Sequence, residues 1–230
     1  MFGFGKKSTE TTTATAASTP AVVPAVGVTD LGTAHGLISL EKRQAISLTK
    51  TPKITITISW PDTTDYDVYA LVQYKDGHVE TVSQFGTKDD RKFTATTKDG
   101  AVKHLGDVKR GGGTGKKGIA DEVIEIALNP NIVRIVPVAY SAQSNGNGSF
   151  RRYKVTMTID NGAGDIVEIK AKDADNNDSV YSCVPGVITN GDQIRIEKLE
   201  AYSAPRSERR PTIDSDGTVR MDTGATNLYK

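Results

Sequence analysis

The chain has 230 residues, 37% of them hydrophobic and 25% charged, with a formal net charge of +1. That composition suits one globular domain with appended tails and excludes a global pull toward nucleic acid or anionic membrane, so any such binding has to come from a local patch. A single cysteine, Cys183, excludes an internal disulfide, and its neighbours Tyr181, Val184 and Pro185 suit a buried structural thiol.

In chain order, Met1-Phe2-Gly3-Phe4-Gly5-Lys6-Lys7 runs into Ser, Thr and Ala without the continuous apolar core of a signal peptide. No apolar run is long enough to cross a membrane, so a cytoplasmic protein is expected, or alternatively a component of a virion or other large assembly. Residues 8 to 28 are a Thr/Ala/Ser/Pro/Val tract that cannot bury enough surface to offset its ordering entropy. The expected organisation is an arm or linker over 1–35, a folded domain over 36–203 and a polar tail over 204–230. In the tail, Thr218-Val219-Arg220-Met221 could add a short strand to a partner.

Between the tails the dominant period is two. Ile54, Ile56 and Ile58 alternate with Thr55, Thr57 and Ser59 before Trp60, which predicts a strand with one buried face. Comparable runs occur at Val68 to Tyr74, Val79 to Gln84, Lys92 to Thr97, Val123 to Leu128, Ile132 to Tyr140, Tyr153 to Asp160, Ile166 to Lys170, Ser179 to Val184 and Gln193 to Ala201. They are separated by turn residues such as Lys75-Asp76-Gly77, Lys98-Asp99-Gly100, Asp160-Asn161-Gly162 and Asn190-Gly191-Asp192. Strands at this spacing, with no sustained helical period, predict an all-β, two-sheet antiparallel β-sandwich with extended N- and C-terminal arms. A core of this size can stand without metal, so a bound cation would fix loop geometry and not drive folding.

The strongest chemical signal is Asp65-Tyr66-Asp67 at the head of an apolar run. Residues two apart in a strand share a face, so both carboxylates would repel unless a positive group sat between them. A hard divalent cation suits oxygen ligands drawn from several loops, while two solvated acids at a strand start are the alternative reading. Other motifs fail on spacing. Arg110 to Lys117 lacks the first Gly and the hydroxyl of a phosphate-binding loop, leaving looser anion binding or a solvated loop. Asp173 to Asp178 starts like a calcium loop but lacks Gly at the sixth position and Glu at the twelfth. His35, His78 and His104 have no metal-ligand spacing, and for His104 packing or hydrogen bonding is the expected role. No nucleophile can be paired with a base. Lys198, Arg206, Arg209 and Arg210 make a basic stretch without interleaved aromatics, which suits an acidic protein surface better than single-stranded nucleic acid.

The order of motifs resembles the TerD family of tellurium-resistance and stress-response proteins. It is carried by Ser39-Leu40, Ile46 to Lys50, Ile54 to Trp60, the Asp65-Tyr66-Asp67 run, Val102 to Asp107, Asp121 to Leu128, Phe150 to Tyr153 leading into Val155 to Ile159, and Asp165 to Ala171, over roughly residues 37 to 203. The resemblance implies a calcium-binding sandwich without enzymatic activity. It places the metal ligands at Asp65, Asp67, Asp107, Asp121 and Glu122, with Gly106-Asp107 as the family's Gly-Asp turn. Where the family's Gly-rich loop carries acids, Lys109 to Gly118 carries four positive charges, so at most one calcium is expected. Two roles follow as expectations. One is a non-enzymatic module of tellurium-resistance or stress-response type acting through protein–protein contacts, and the other is an assembly protein using sheet edges and arms to bind its neighbours.

Overall fold

The computed structural model of the protein describes residues 27–108, 118–141, 149–172 and 177–228. The Met1 to Phe4 arm, the basic 109–117 loop and the 173–176 part of the calcium-loop-like segment lie outside these residues. The strands are β1 (Thr29–Thr33), β2 (Leu37–Ser39), β3 (Gln44–Leu48), β4 (Ile54–Pro61), β5 (Asp67–Tyr74), β6 (Val79–Val82), β7 (Val102–His104), β8 (Ile119–Ile126), β9 (Ile132–Tyr140), β10 (Thr156–Asp160), β11 (Ile166–Lys170), β12 (Ser182–Asn190), β13 (Ile194–Tyr202), β14 (Thr212–Ile213) and β15 (Val219–Arg220).

Two open sheets pack as a sandwich. One has seven strands in the order β1-β3-β13-β12-β9-β5-β6, and the other six in the order β2-β11-β10-β4-β8-β7. Alternation drives their packing. The buried side chains of β4 (Ile54, Ile56, Ile58, Trp60), β8 (Ala120, Ile124, Ile126), β10 (Met157, Ile159) and β11 (Val167, Ile169) face those of β3, β5, β9, β12 and β13 in one core. Most pairings are antiparallel as expected, but β1 with β3 and β2 with β11 are parallel. Residues 29–39 therefore lie along one side of both sheets.

The opposite side is closed by the segment expected as a strand at Lys92 to Thr97, and here the expectation fails. Its backbone accepts from Ser83 N–H at Thr94 and from His104 N–H at Ala95, so it is divided between β6 of one sheet and β7 of the other and joins neither ladder as a strand. The run expected at Ser179 to Val184 is also displaced: β12 starts at Ser182 and continues to Asn190. An irregularity between Val184 and Gly186 absorbs Pro185. Gly186 is required there, because a Cβ would lie 2.7 Å from Glu197 O and 2.8 Å from Ile169 Cδ1.

The C-terminal segment is not the extended polar tail that its composition suggests. β14 and β15 pair with each other, and Ile213, Val219 and Met221 pack on a second apolar cluster of Tyr69, Leu71, Phe85, Val136, Val138, Tyr140, Tyr181 and Val184 on the outer face of the seven-stranded sheet. Arg210 locks the segment down. Its guanidinium lies over Tyr69 and Phe85 at 4.9 and 5.1 Å and donates to Phe85 O, Gly86 O and Asn227 Oδ1. This cover explains why β5 is buried along its whole length. It also corrects the basic stretch: Arg206 and Arg209 are exposed, but Lys198 and Arg210 are inside.

Candidate functional site

β4, β7, β9 and β11 run toward one rim of the sandwich, and β5, β8, β10 and β12 leave from it. At this rim Tyr66 is fully buried, with its ring 5.6 Å from that of Trp60, 5.3 Å from Phe150 and 6.3 Å from Tyr153. That aromatic anchor fixes the chain at the point where β5 begins with Asp67.

Carboxylate oxygens of Asp67, Asp107 and Glu122 lie within 4.8 Å of one another, with Asp67 and Glu122 buried and Asp107 exposed. The three come from the head of β5, the segment after β7 and the inner face of β8. Each position has a local cause. Glu122 shares the inward register of β8 with Ala120, Ile124 and Ile126. Asp107 follows Gly106, whose φ of 132° favours a residue without Cβ and turns the chain back over the rim.

Glu122 is the best-defined member. Its Oε2 accepts from Val68 N–H at 2.8 Å and lies 3.2 Å from His104 Nε2, and its Oε1 accepts from Val108 N–H at 3.1 Å. His104 Nδ1 accepts from Gly106 N–H at 3.1 Å, which leaves Nε2 as the donor toward Glu122. The imidazole thus ties the Gly106 turn to the carboxylate. Burial pushes the Glu122 carboxyl above the usual range, opposed by the His104 hydrogen bond and the backbone donors of Val108 and Val68. A cation beside it would favour the ionised form.

Of the five residues expected from sequence, the structure brings together Asp67, Asp107 and Glu122. Asp65 and Asp121 fall outside that group. Asp65 precedes the first residue of β5, so the two-residue spacing that would align it with Asp67 does not apply. Asp121 neighbours Glu122 on β8 and therefore points to the other face, opposite Ser59. Both keep interactions of their own. The backbone amides of Val68 and Val108 leave no mark in sequence, whereas His104, at the end of β7, takes the hydrogen-bonding role expected of it.

Three oxygen donors from separate segments, two of them buried, form a partial shell that a divalent cation with backbone or water oxygens could complete. No family model matches the chain, and no curated protein matches it. Among solved structures it is similar to the crystal structure of "unknown function protein SAV2460", with 16% identity over 68% of this chain and 91% of that one and a TM-score of 0.47. Among the described residues no helix is long and apolar enough to cross a membrane.

Proposed function

We propose that this chain is a non-enzymatic binding module of the TerD type that holds one calcium ion between Asp67, Asp107 and Glu122 and acts through contacts with other proteins. The observation that carries the reading is the convergence of these three carboxylates at the rim. Calcium fits because the donors are all oxygens and come from segments with unequal freedom, two in strands and one in a connecting turn. The ion would tie the turn after β7 to β5 and β8, so its effect would be on the shape of the rim and not on the sandwich core. The resemblance in motif order is what points to stress-response or tellurium-resistance biology.

Calorimetric titration with calcium, paired with thermal melts, tests the reading. One site is expected, with a rise in melting temperature that follows RT ln(1 + [L]/Kd) and is lost in Asp67→Asn. Absence of binding in the wild type, or a rise of the same size in Asp67→Asn, would overturn it.

A second reading, an assembly role through sheet edges, is favoured by one specific feature. β1 is exposed at every residue at the edge of its sheet, and Leu31 within it and Leu37 in β2 are 42% and 73% exposed. Light scattering of the chain with residues 1–26 deleted separates the contribution of the arm from that of the edge.

A further inference from the structure

A second site is built at the β10–β11 corner of the same rim, from residues of opposite charge to the carboxylate group. Arg151, Lys154, Thr156, Lys170 and Lys172 line a concavity of about 540 Å³. That size is ordinary for a small-molecule site, but four cations on one concave surface are unusual in a chain of net charge +1.

Local structure sets the cations in place. Residues 149–155 form a tight turn in which Tyr153 N–H donates to Ser149 O, Lys154 N–H to Arg151 O and Val155 N–H to Phe150 O. Lys154 takes the left-handed conformation with φ of 49°, which turns the chain from the Arg151 loop into β10. Lys170, the last residue of β11, is held 2.7 Å from Glu168, and Lys172, just beyond the strand, 2.8 Å from Glu41. Among the described residues, the side chains of Arg151 and Lys154 have no ion-pair partner. The site is thus two tethered lysines facing two uncompensated cations.

We infer that this concavity binds a phosphate-bearing ligand with at least two closely spaced phosphate groups. A guanidinium fork can meet one phosphate through two parallel hydrogen bonds, while ammonium groups act as point charges on the next. A lone carboxylate has too few acceptor oxygens to engage groups arriving from both the turn and β11. Single-stranded nucleic acid fits poorly, because among the described residues no aromatic lines the concavity, and Tyr153 of the adjoining turn is half-buried and spends its ring on Tyr66. The inference does not depend on the carboxylate site.

The test is titration of the full chain with inorganic pyrophosphate in the presence of EDTA, which keeps the carboxylate group out of the readout. A parallel arm measures sedimentation with vesicles carrying phosphatidylinositol bisphosphate. Saturable binding of pyrophosphate that weakens with salt assigns the site to a free phosphorylated molecule, and binding to vesicles alone assigns it to a lipid headgroup. In either case Arg151→Gln with Lys154→Asn should weaken binding by at least about tenfold, the Asn being chosen because it tolerates a positive φ. Lys170→Gln at the end of β11 with Lys172→Gln just after it provides an independent pair, and thermal melts check that both variants fold. No binding in either arm, or binding unchanged in both folded variants, overturns the inference.

Discussion

Glu122 is where the rim is most exposed to a quantitative test. Replacing it with Ala removes the acceptor for Val68 N–H, Val108 N–H and His104 Nε2. Val68 and His104 are buried, so their donors cannot turn to solvent, whereas Val108 is only half-buried. Two stranded buried donors at roughly 1–3 kcal/mol each give a loss of about 2–6 kcal/mol, reduced by relief of the carboxylate's own burial. Glu122→Gln keeps one acceptor oxygen and puts an NH2 against one of the donors, so it should cost about 1–3 kcal/mol. Urea denaturation at neutral pH with EDTA measures both. The sign of the pH dependence is also fixed. The folded-state pKa of Glu122 is raised by burial, so its contribution is fully present below the unfolded value of 4.5 and is lost as pH rises through the folded value. A cation reverses that loss by favouring the ionised form, so calcium should stabilise the wild type more at neutral than at acid pH. If Glu122→Ala unfolds at the wild-type urea concentration with an unchanged slope, the hydrogen-bond reasoning fails. A calcium effect that is larger in acid would refute the electrostatic part.

Arg210→Ala should cost about 3 kcal/mol, since it leaves two backbone carbonyls and Asn227 Oδ1 without their donor and removes two cation–π contacts, and limited proteolysis should then cut within 204–228. Burial would raise Asp99, but hydrogen bonds from Thr97, Ala101 N–H, Asn129 and Tyr74 outweigh it and hold the carboxyl at about 2. Its contribution is therefore present above 3.8 and lost as pH falls toward 2, and Asp99→Asn should flatten that part of the acid-denaturation curve followed by circular dichroism. Burial pushes the Cys183 thiol well up, so it should resist iodoacetamide in the native protein and react at once in urea.

The alternation of Ile54 to Trp60 was legible because a half-buried strand writes its period directly into sequence, and the apolar stretch from Val68 to Val72 was legible as a strand but not as one covered on both faces. What covers its outer face was not legible. Ile213, Val219 and Met221 are spread over a short hairpin with no period, and the key contact is made by an arginine, which composition assigns to the surface. β1 was hidden for a related reason: its residues, Thr-Asp-Leu-Gly-Thr, bury nothing, so no hydrophobic pattern marks it. At the site, sequence could nominate five acids but not choose among them. The choice turns on where β5 begins, which excludes Asp65, and on the register of β8, which selects Glu122 over Asp121. Both are set by long-range pairing.

The sealed faces also narrow where a partner could add a strand. The β6 and β7 side is occupied by residues 92–97, whose backbone accepts from both sheets. The Val219–Arg220 strand, which its sequence offered to a partner, is already paired with β14. Among the described edges this leaves the β1–β2 side, where Leu31 and Leu37 are exposed. A partner strand at β1 would gain backbone hydrogen bonds and cover Leu31, so Leu31→Lys should prevent association without changing the unfolding free energy by more than about 0.5 kcal/mol. Light scattering across a concentration series checks this. Self-association that survives Leu31→Lys would rule out the β1 edge as its basis and weaken the assembly reading with it.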